Sequence, residues 1–332
     1  MSSECNIRVS FLTWNIYQGF NVTPLFAPLT PEQLPEVVTQ VFRQFLATNF
    51  PVRAKAIAEA IASEKPDLIG LQEAARVKLI IPTFRTVTYD FIEILLEELE
   101  ERGLKYEVAA RNNNAKSKLP DSNGNFIQFL DRDAILIRKD HQLDVIRRQE
   151  ANFQTNLTVP IAGQPFTILR GWSSIDVKID GKVFRMINTR LDPTVEAIRN
   201  AQALEILQGP ANTHLPVVIT GDLNAPPNSS TIHLFINAGF KDVWDKVGEG
   251  PGFTDEQSPD LLNAISMLSR RLDYILYKNG WEPIEAELVG ESQKDRTKTG
   301  LWPSDHAGVS ASLDLEDHHD HHHDESSIES SD

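Results

Sequence analysis

Residues 215–227 read Leu215-Pro216-Val217-Val218-Ile219-Thr220-Gly221-Asp222-Leu223-Asn224-Ala225-Pro226-Pro227. The run from Val217 to Thr220 is β-branched throughout and too short for a helix, which predicts a strand buried on both faces. Pro226 and Pro227 stop it, so Asp222 and Asn224 stand at its mouth, on a scaffold rigid enough to aim them. An acid after a strand is ordinarily a turn residue or a helix cap. The weight therefore rests on recurrence. Thr13-Trp14-Asn15-Ile16 ends the alternating strand Ile7–Trp14, and Gln72-Glu73 follows Asp67–Leu71. Asp273 lies in the apolar strand Leu272–Tyr277, and Ser304-Asp305-His306 precedes a last strand, Ala307–Leu313.

Between these strands the apolar spacing turns helical. Val37, Val38, Val41, Phe42, Phe45 and Leu46 mark one helix from Leu34, and Val52–Glu64 is an Ala-rich second that stops before Pro66. Asp90–Glu101 reads as a third, ended by Gly103. A polar stretch from Arg111 to Asp131 then interrupts, before Ala134–Ile137 returns as a strand. Phe166–Leu169, Ser174–Ile179 and Val183–Asn188 follow as strands, with Asp180-Gly181 as a hairpin turn. Asp192-Pro193 is expected to cap a helix running to about Leu207. Many strands, few parallel crossovers and flanking helices predict an α/β fold: two stacked, mostly antiparallel sheets with helices outside, a four-layer α/β/β/α sandwich in residues 1–313.

The chain has 332 residues and a formal net charge of −15 from 32 Lys+Arg and 47 Asp+Glu. Eight of the acids lie after Leu313, where there is no Lys or Arg, so residues 1–313 carry −7. That balance argues against broad adhesion to nucleic acid or anionic membrane, while leaving room for a local basic groove. One cysteine, Cys5, excludes an internal disulfide framework and a multi-cysteine zinc site. No apolar run spans a bilayer, and the start lacks the charged-then-apolar pattern of a secretory signal. The cytoplasm is the default compartment, with secretion left open. Residues 314–332, rich in His and acids, are expected to be a disordered tail, either a loose metal chelator or simply solvated.

The strand-end residues form a coherent chemical set if the strand ends converge. Glu73 and Asp305 offer hard oxygen ligands, with Asn15 and Asp222 nearby, a set suited to Mg²⁺ or Mn²⁺. His306 beside carboxylates suits general acid–base work, and Asn224 adds a neutral donor for an anionic oxygen. No Walker glycine loop, HExxH or GxSxG occurs, so ATPase, zincin and serine hydrolase chemistry lack their usual support.

Thr13-Trp14-Asn15-Ile16, Gln72-Glu73, Gly221-Asp222-Leu223-Asn224, Arg271-Leu272-Asp273-Tyr274 and Ser304-Asp305-His306 stand in an order that resembles the endonuclease/exonuclease/phosphatase superfamily, the DNase I-like fold. The resemblance covers nearly everything from Ile7 to Leu313. It implies Glu73 as the main metal ligand, assisted by Asn15 and Asp305. Asp222 resembles the residue that aligns or deprotonates the attacking water, and Asn224 the one that holds a phosphate oxygen. His306 looks like the catalytic histidine, with Asp273 fixing its ring; whether Asp222 or His306 takes the proton stays open.

One departure stands out: many members carry Asn-Thr-His-Leu where this chain has Asn188-Thr189-Arg190-Leu191. Arg190 can clamp two phosphate oxygens but cannot exchange a proton near neutral pH. Arg132, in Asp131-Arg132-Asp133, is read as a phosphate contact or a structural ion pair. Arg111, Lys116 and Lys118 read as a small basic loop, and residues 17–51 as an insertion able to fold over the cleft. The implied activity is metal-dependent hydrolysis of a phosphoester, a diester in preference to a monoester. The substrate is nucleic acid, a phospholipid or a small phosphoester, and no partner protein is implied. The alternative is a non-catalytic protein that keeps the fold and binds or sequesters metal.

Overall fold

The structure, a computed structural model, describes residues 6–139 and 142–317. The first sheet holds β1 (Ile7–Asn15), β2 (Leu68–Gln72), β3 (Arg76–Ile81), β4 (Arg85–Asp90), β5 (Tyr106–Pro120), β6 (Phe126–Arg138), β15 (Trp281–Val289) and β16 (Gly308–Leu315). Its order is β15-β16-β1-β2-β6-β3-β4, with β5 also paired to β6. The second sheet runs β13-β14-β12-β11-β10-β7. Its strands are β7 (Asp144–Asn152), β10 (Gly171–Ile179), β11 (Lys182–Arg190), β12 (Val217–Asp222), β13 (Lys241–Asp242) and β14 (Asp273–Lys278). A separate hairpin joins β8 (Leu157–Ile161) to β9 (Gln164–Ile168). The helices are α1 (Leu34–Ala47), α2 (Phe50–Glu64), α3 (Phe91–Glu101), α4 (Glu196–Gln208), α5 (Ser230–Asn237) and α6 (Val243–Val247).

Alternation along the strands creates the four layers. On β1, Val9 and Phe11 face the second sheet and join Ile175, Phe184 and Val218. The intervening Leu12 and Trp14 face the other way and pack with Ile57 of α2 and Leu95 of α3. On β12 the parity repeats: Val218 points between the sheets, whereas Val217 and Ile219 meet Ile206 of α4 and Phe235 of α5. Each fully buried side chain of this size contributes about 1.5–3 kcal/mol, so the three interfaces dominate the stability. At Gly70 the sheets approach so closely that a Cβ would lie 2.2 Å from Thr220 Oγ1 and 2.5 Å from Asn188 Oδ1.

Several expectations shift. The polar stretch after Arg111 is not an interruption but the long β5–β6 hairpin, so Arg111, Lys116 and Lys118 lie on a strand and not in a basic loop. Buried Asn112 and Asn114 escape the hydrophobic pattern because they bond to Asp131 and Asp133 across the hairpin. The helix expected at Asp192 starts at Glu196; Asp192 instead accepts the Thr194 and Val195 N–H groups in an Asx turn. The last strand continues to Leu315, two residues past the expected end. Asp314 pairs there with Arg8 at 2.9 Å, so these residues belong to the sheet and not to a tail. The rest of the expected tail from His318, and Cys5, lie outside the described residues. Among the described residues no helix is long and apolar enough to cross a membrane.

Candidate active site

Register builds the site. In the second sheet Arg190 of β11 pairs with Asp222 of β12, and Asp222 pairs with Asp273 of β14, so a cation and two acids stand in one cross-strand row. In the first sheet Asn15 pairs with Gln72, which delivers Glu73 to the facing edge. Tyr17, Glu73 and Asn224 all adopt left-handed backbone, with φ of 62°, 53° and 49°. Non-glycine residues avoid that region, and here it turns each chain sharply at a strand end. The turn before β16 is clasped to β1: Ser304 Oγ donates to Asn15 O at 2.5 Å and Trp14 Nε1 to His306 O at 3.0 Å.

His306 is the hub. Its Nδ1 lies 2.7 Å from Asp273 Oδ2, and its Nε2 lies 3.2 Å from Asp255 Oδ1 and 3.8 Å from Asp222 Oδ2. Burial opposes charge on this ring, but Asp273, Asp222 and Asp305 outweigh it and hold the pKa well above the ordinary histidine value. Glu73 is buried too, yet Arg190, Asn15 and the Gln18 N–H hold its carboxyl below the usual range. Arg190 Nη2 lies 3.2 Å from Glu73 and its Nε 3.6 Å from Asp222, so this cation bridges the two sheets' acids.

Glu73 and Asp305 carry carboxylate oxygens, the ligand type that a hard divalent ion takes. Burial pushes Asp305 up to about 8 despite His306, and Glu73 and Asp255 add to the rise. An acid crowded by acids is the setting that a hard cation relieves. Asn15 does not fit the ligand role expected of it. Its Nδ2 donates to Glu73 at 2.5 Å and Asp222 at 3.0 Å, while its Oδ1 accepts the Tyr17 N–H at 3.0 Å. Flipping the amide would set donor against donor, so its oxygen faces away from the cluster. Asp222, Asp273 and His306 also offer ligand atoms within 4.8 Å of one another.

Two other expected residues are engaged by the protein itself, Arg132 wholly and Asn224 in part. Arg132 is 1% exposed, donates to Ala74 O and Ala75 O, and pairs with Asp90 at 2.7 Å; it is a structural ion pair and not a phosphate contact. Asn224 donates Nδ2 to Leu191 O at 2.7 Å, which leaves one of its two amide hydrogens for a ligand. Sequence reasoning missed Asp255, which sits in an irregular segment with no strand-end signal and also pairs with Arg270. It missed Arg53 as well, fully buried and donating to the carbonyls of Thr48, Ile16, Pro303 and Tyr17. Arg53 thereby joins α2, the end of β1 and the turn that carries Asp305.

Residues 12–306 match the Endonuclease/Exonuclease/phosphatase family. No curated protein matches the chain. Solved structures share the fold at low identity. An endonuclease/exonuclease/phosphatase from Bacteroides vulgatus is 18% identical with a TM-score of 0.60, over 93% of this chain and 100% of that one. A mannosyl-6-phosphatase from Bacteroides thetaiotaomicron is 16% identical with a TM-score of 0.57, over 92% and 99%. D. rerio TDP2, complexed with a single-strand DNA product, is 17% identical with a TM-score of 0.54, over 92% and 98%.

Proposed function

Because the chain belongs to the Endonuclease/Exonuclease/phosphatase family, whose members are phosphoester hydrolases, we propose that it hydrolyses a phosphodiester with the aid of Mg²⁺ or Mn²⁺. The observation that carries this reading is His306, held by Asp273 at Nδ1, with its Nε2 3.2 Å from Asp255 and 3.8 Å from Asp222.

Asp273, Asp222 and Asp305 raise the pKa of His306 against its burial, which favours the charged ring and makes Asp222 the better base. Asp222, fully buried and oriented by Asn15, takes that role. Its Oδ2 lies only 3.8 Å from His306 Nε2, so the two cannot address opposite ends of an in-line displacement. Both act on one side. A water gives its proton to Asp222 as its oxygen bonds to phosphorus, and the His306 imidazolium donates to a non-bridging phosphoryl oxygen. The bond from phosphorus to the leaving oxygen breaks on the far side, and that oxygen takes its proton from solvent. Arg190 holds a second phosphoryl oxygen. Glu73 and Asp305 would hold a divalent ion, which would supply positive charge against the charge that develops on the phosphoryl group.

The test is hydrolysis of bis(p-nitrophenyl) phosphate and of plasmid DNA by the purified chain with Mg²⁺, with Mn²⁺ and with EDTA. Turnover that needs the metal supports the proposal. Metal binding without turnover of these or of p-nitrophenyl phosphate, sphingomyelin and inositol phosphates favours the non-catalytic alternative.

A further inference from the structure

An apolar cavity of about 170 Å³ adjoins the strand-end cluster. Its walls come from elements outside that cluster: Phe20 and Phe42 of the segment after β1, Ile127 and Phe129 of β6, and Ile161 and Phe166 of the β8–β9 hairpin. Its charged lining is Arg170, Arg190, Asp131 and Asp192, and Arg190 also pairs with Glu73, so the cavity and the candidate active site share a side chain. Arg170 is 6% exposed, and among the described residues its Nε has no hydrogen-bond partner. A guanidinium that deep, with a donor unused, costs stability until a ligand brings an acceptor. Burial lowers its pKa to about 10 and Arg190 adds to the effect, with Asp131 opposing, so it stays charged near neutrality. An apolar chamber with arginines beside the reaction centre matches a molecule apolar at one end and anionic at the other.

We infer that the cavity receives the apolar substituent of the phosphoester hydrolysed at the adjoining cluster, with Arg170 donating to a phosphoryl oxygen of the same molecule. This rests on the phosphoester chemistry proposed above and narrows its substrate class. Apolar cavities of about 150 Å³ admit a benzene ring, so the substituent is compact: an aryl ring or an alkyl chain of about six carbons. A nucleoside would leave ring nitrogens and sugar hydroxyls unpaired against these walls.

The experiment measures binding of hexyl phosphate and methyl phosphate to the full chain by calorimetry, and their competition with bis(p-nitrophenyl) phosphate hydrolysis. Each methylene removed from water tightens binding up to ~4-fold, so hexyl phosphate should bind at least ~30-fold tighter and inhibit competitively. Ser117→Phe, which fills the cavity, should shrink that ratio several-fold, and Arg170→Gln should weaken both ligands ~10-fold. Equal binding of the two phosphates by the wild-type chain overturns the inference. So does hexyl phosphate that binds without inhibiting. If hexyl phosphate binds tightly and no phosphoester is turned over, the proposed hydrolysis fails while the cavity stands as an alkyl-phosphate site.

Discussion

The Nδ1 atom of His306 lies 2.7 Å from Oδ2 of Asp273, an aspartate that is 1% exposed and sits directly across from Asp222 in the next strand. The contact fixes the ring plane and assigns Nδ1 as donor, which leaves Nε2 to face Asp255 and Asp222. The aspartates around the ring favour its charged form in the folded state.

The first prediction concerns pH. Burial opposes the charge, but Asp273, Asp222 and Asp305 prevail, so the folded pKa lies well above the ordinary value of 6.5. A raised pKa contributes stability in full below the unfolded value, and the contribution is lost as pH rises through the folded value. Denaturant titrations should show the wild type losing stability relative to His306→Asn as pH climbs from 6.5. Parallel profiles for the two proteins would mean that the ring is neutral in the fold.

Arg190 supplies the second. Its guanidinium sits on Glu73 and near Asp222, where it would compete with a cation for the same carboxylate. Arg190→Ala should tighten Mn²⁺ binding in calorimetry while lowering kcat/KM by ~10²-fold through loss of the phosphate clamp. Arg190→Lys should restore little, because an ammonium cannot fork two oxygens. Weaker Mn²⁺ binding by Arg190→Ala would contradict this account.

Arg53 carries the third. It donates to four backbone carbonyls and lies over the Tyr17 ring at 5.5 Å, with no carboxylate bonded to it among the described residues. Arg53→Leu strands those carbonyls, and a loss of about 3 kcal/mol or more is expected by chemical denaturation. Metal affinity should fall with it, since the Pro303 carbonyl anchors the turn that carries Asp305.

Gly70 supplies the fourth. A methyl group there collides with Thr220 and Asn188, both fully buried between the sheets, so neither can retreat. Gly70→Ala should cost about 2–3 kcal/mol, read as a lower Tm.

Residues that announce themselves locally were legible in the sequence. Glu73, Asp222 and His306 each follow or precede a short apolar run, and strand continuity carries that signal to the sheet edge. What stayed hidden depends on contacts between distant segments. Arg132 follows the same strand-end grammar, yet two carbonyls and the α3 cap Asp90 consume its guanidinium. Asn15 carries the right residue type in the right place, and only the Tyr17 N–H shows that its oxygen points elsewhere. Asp255 reaches His306 from an irregular segment, and the β5–β6 hairpin satisfies its own polar groups, so neither leaves a periodic trace.

The most direct test of the central claim is single-turnover hydrolysis of bis(p-nitrophenyl) phosphate by wild type, Asp222→Asn and His306→Gln at saturating Mn²⁺. Loss of the base or of the imidazolium should each slow the chemical step by ~10²-fold or more while the proteins remain folded and metal-bound. Wild-type rates in either variant would contradict the assignment.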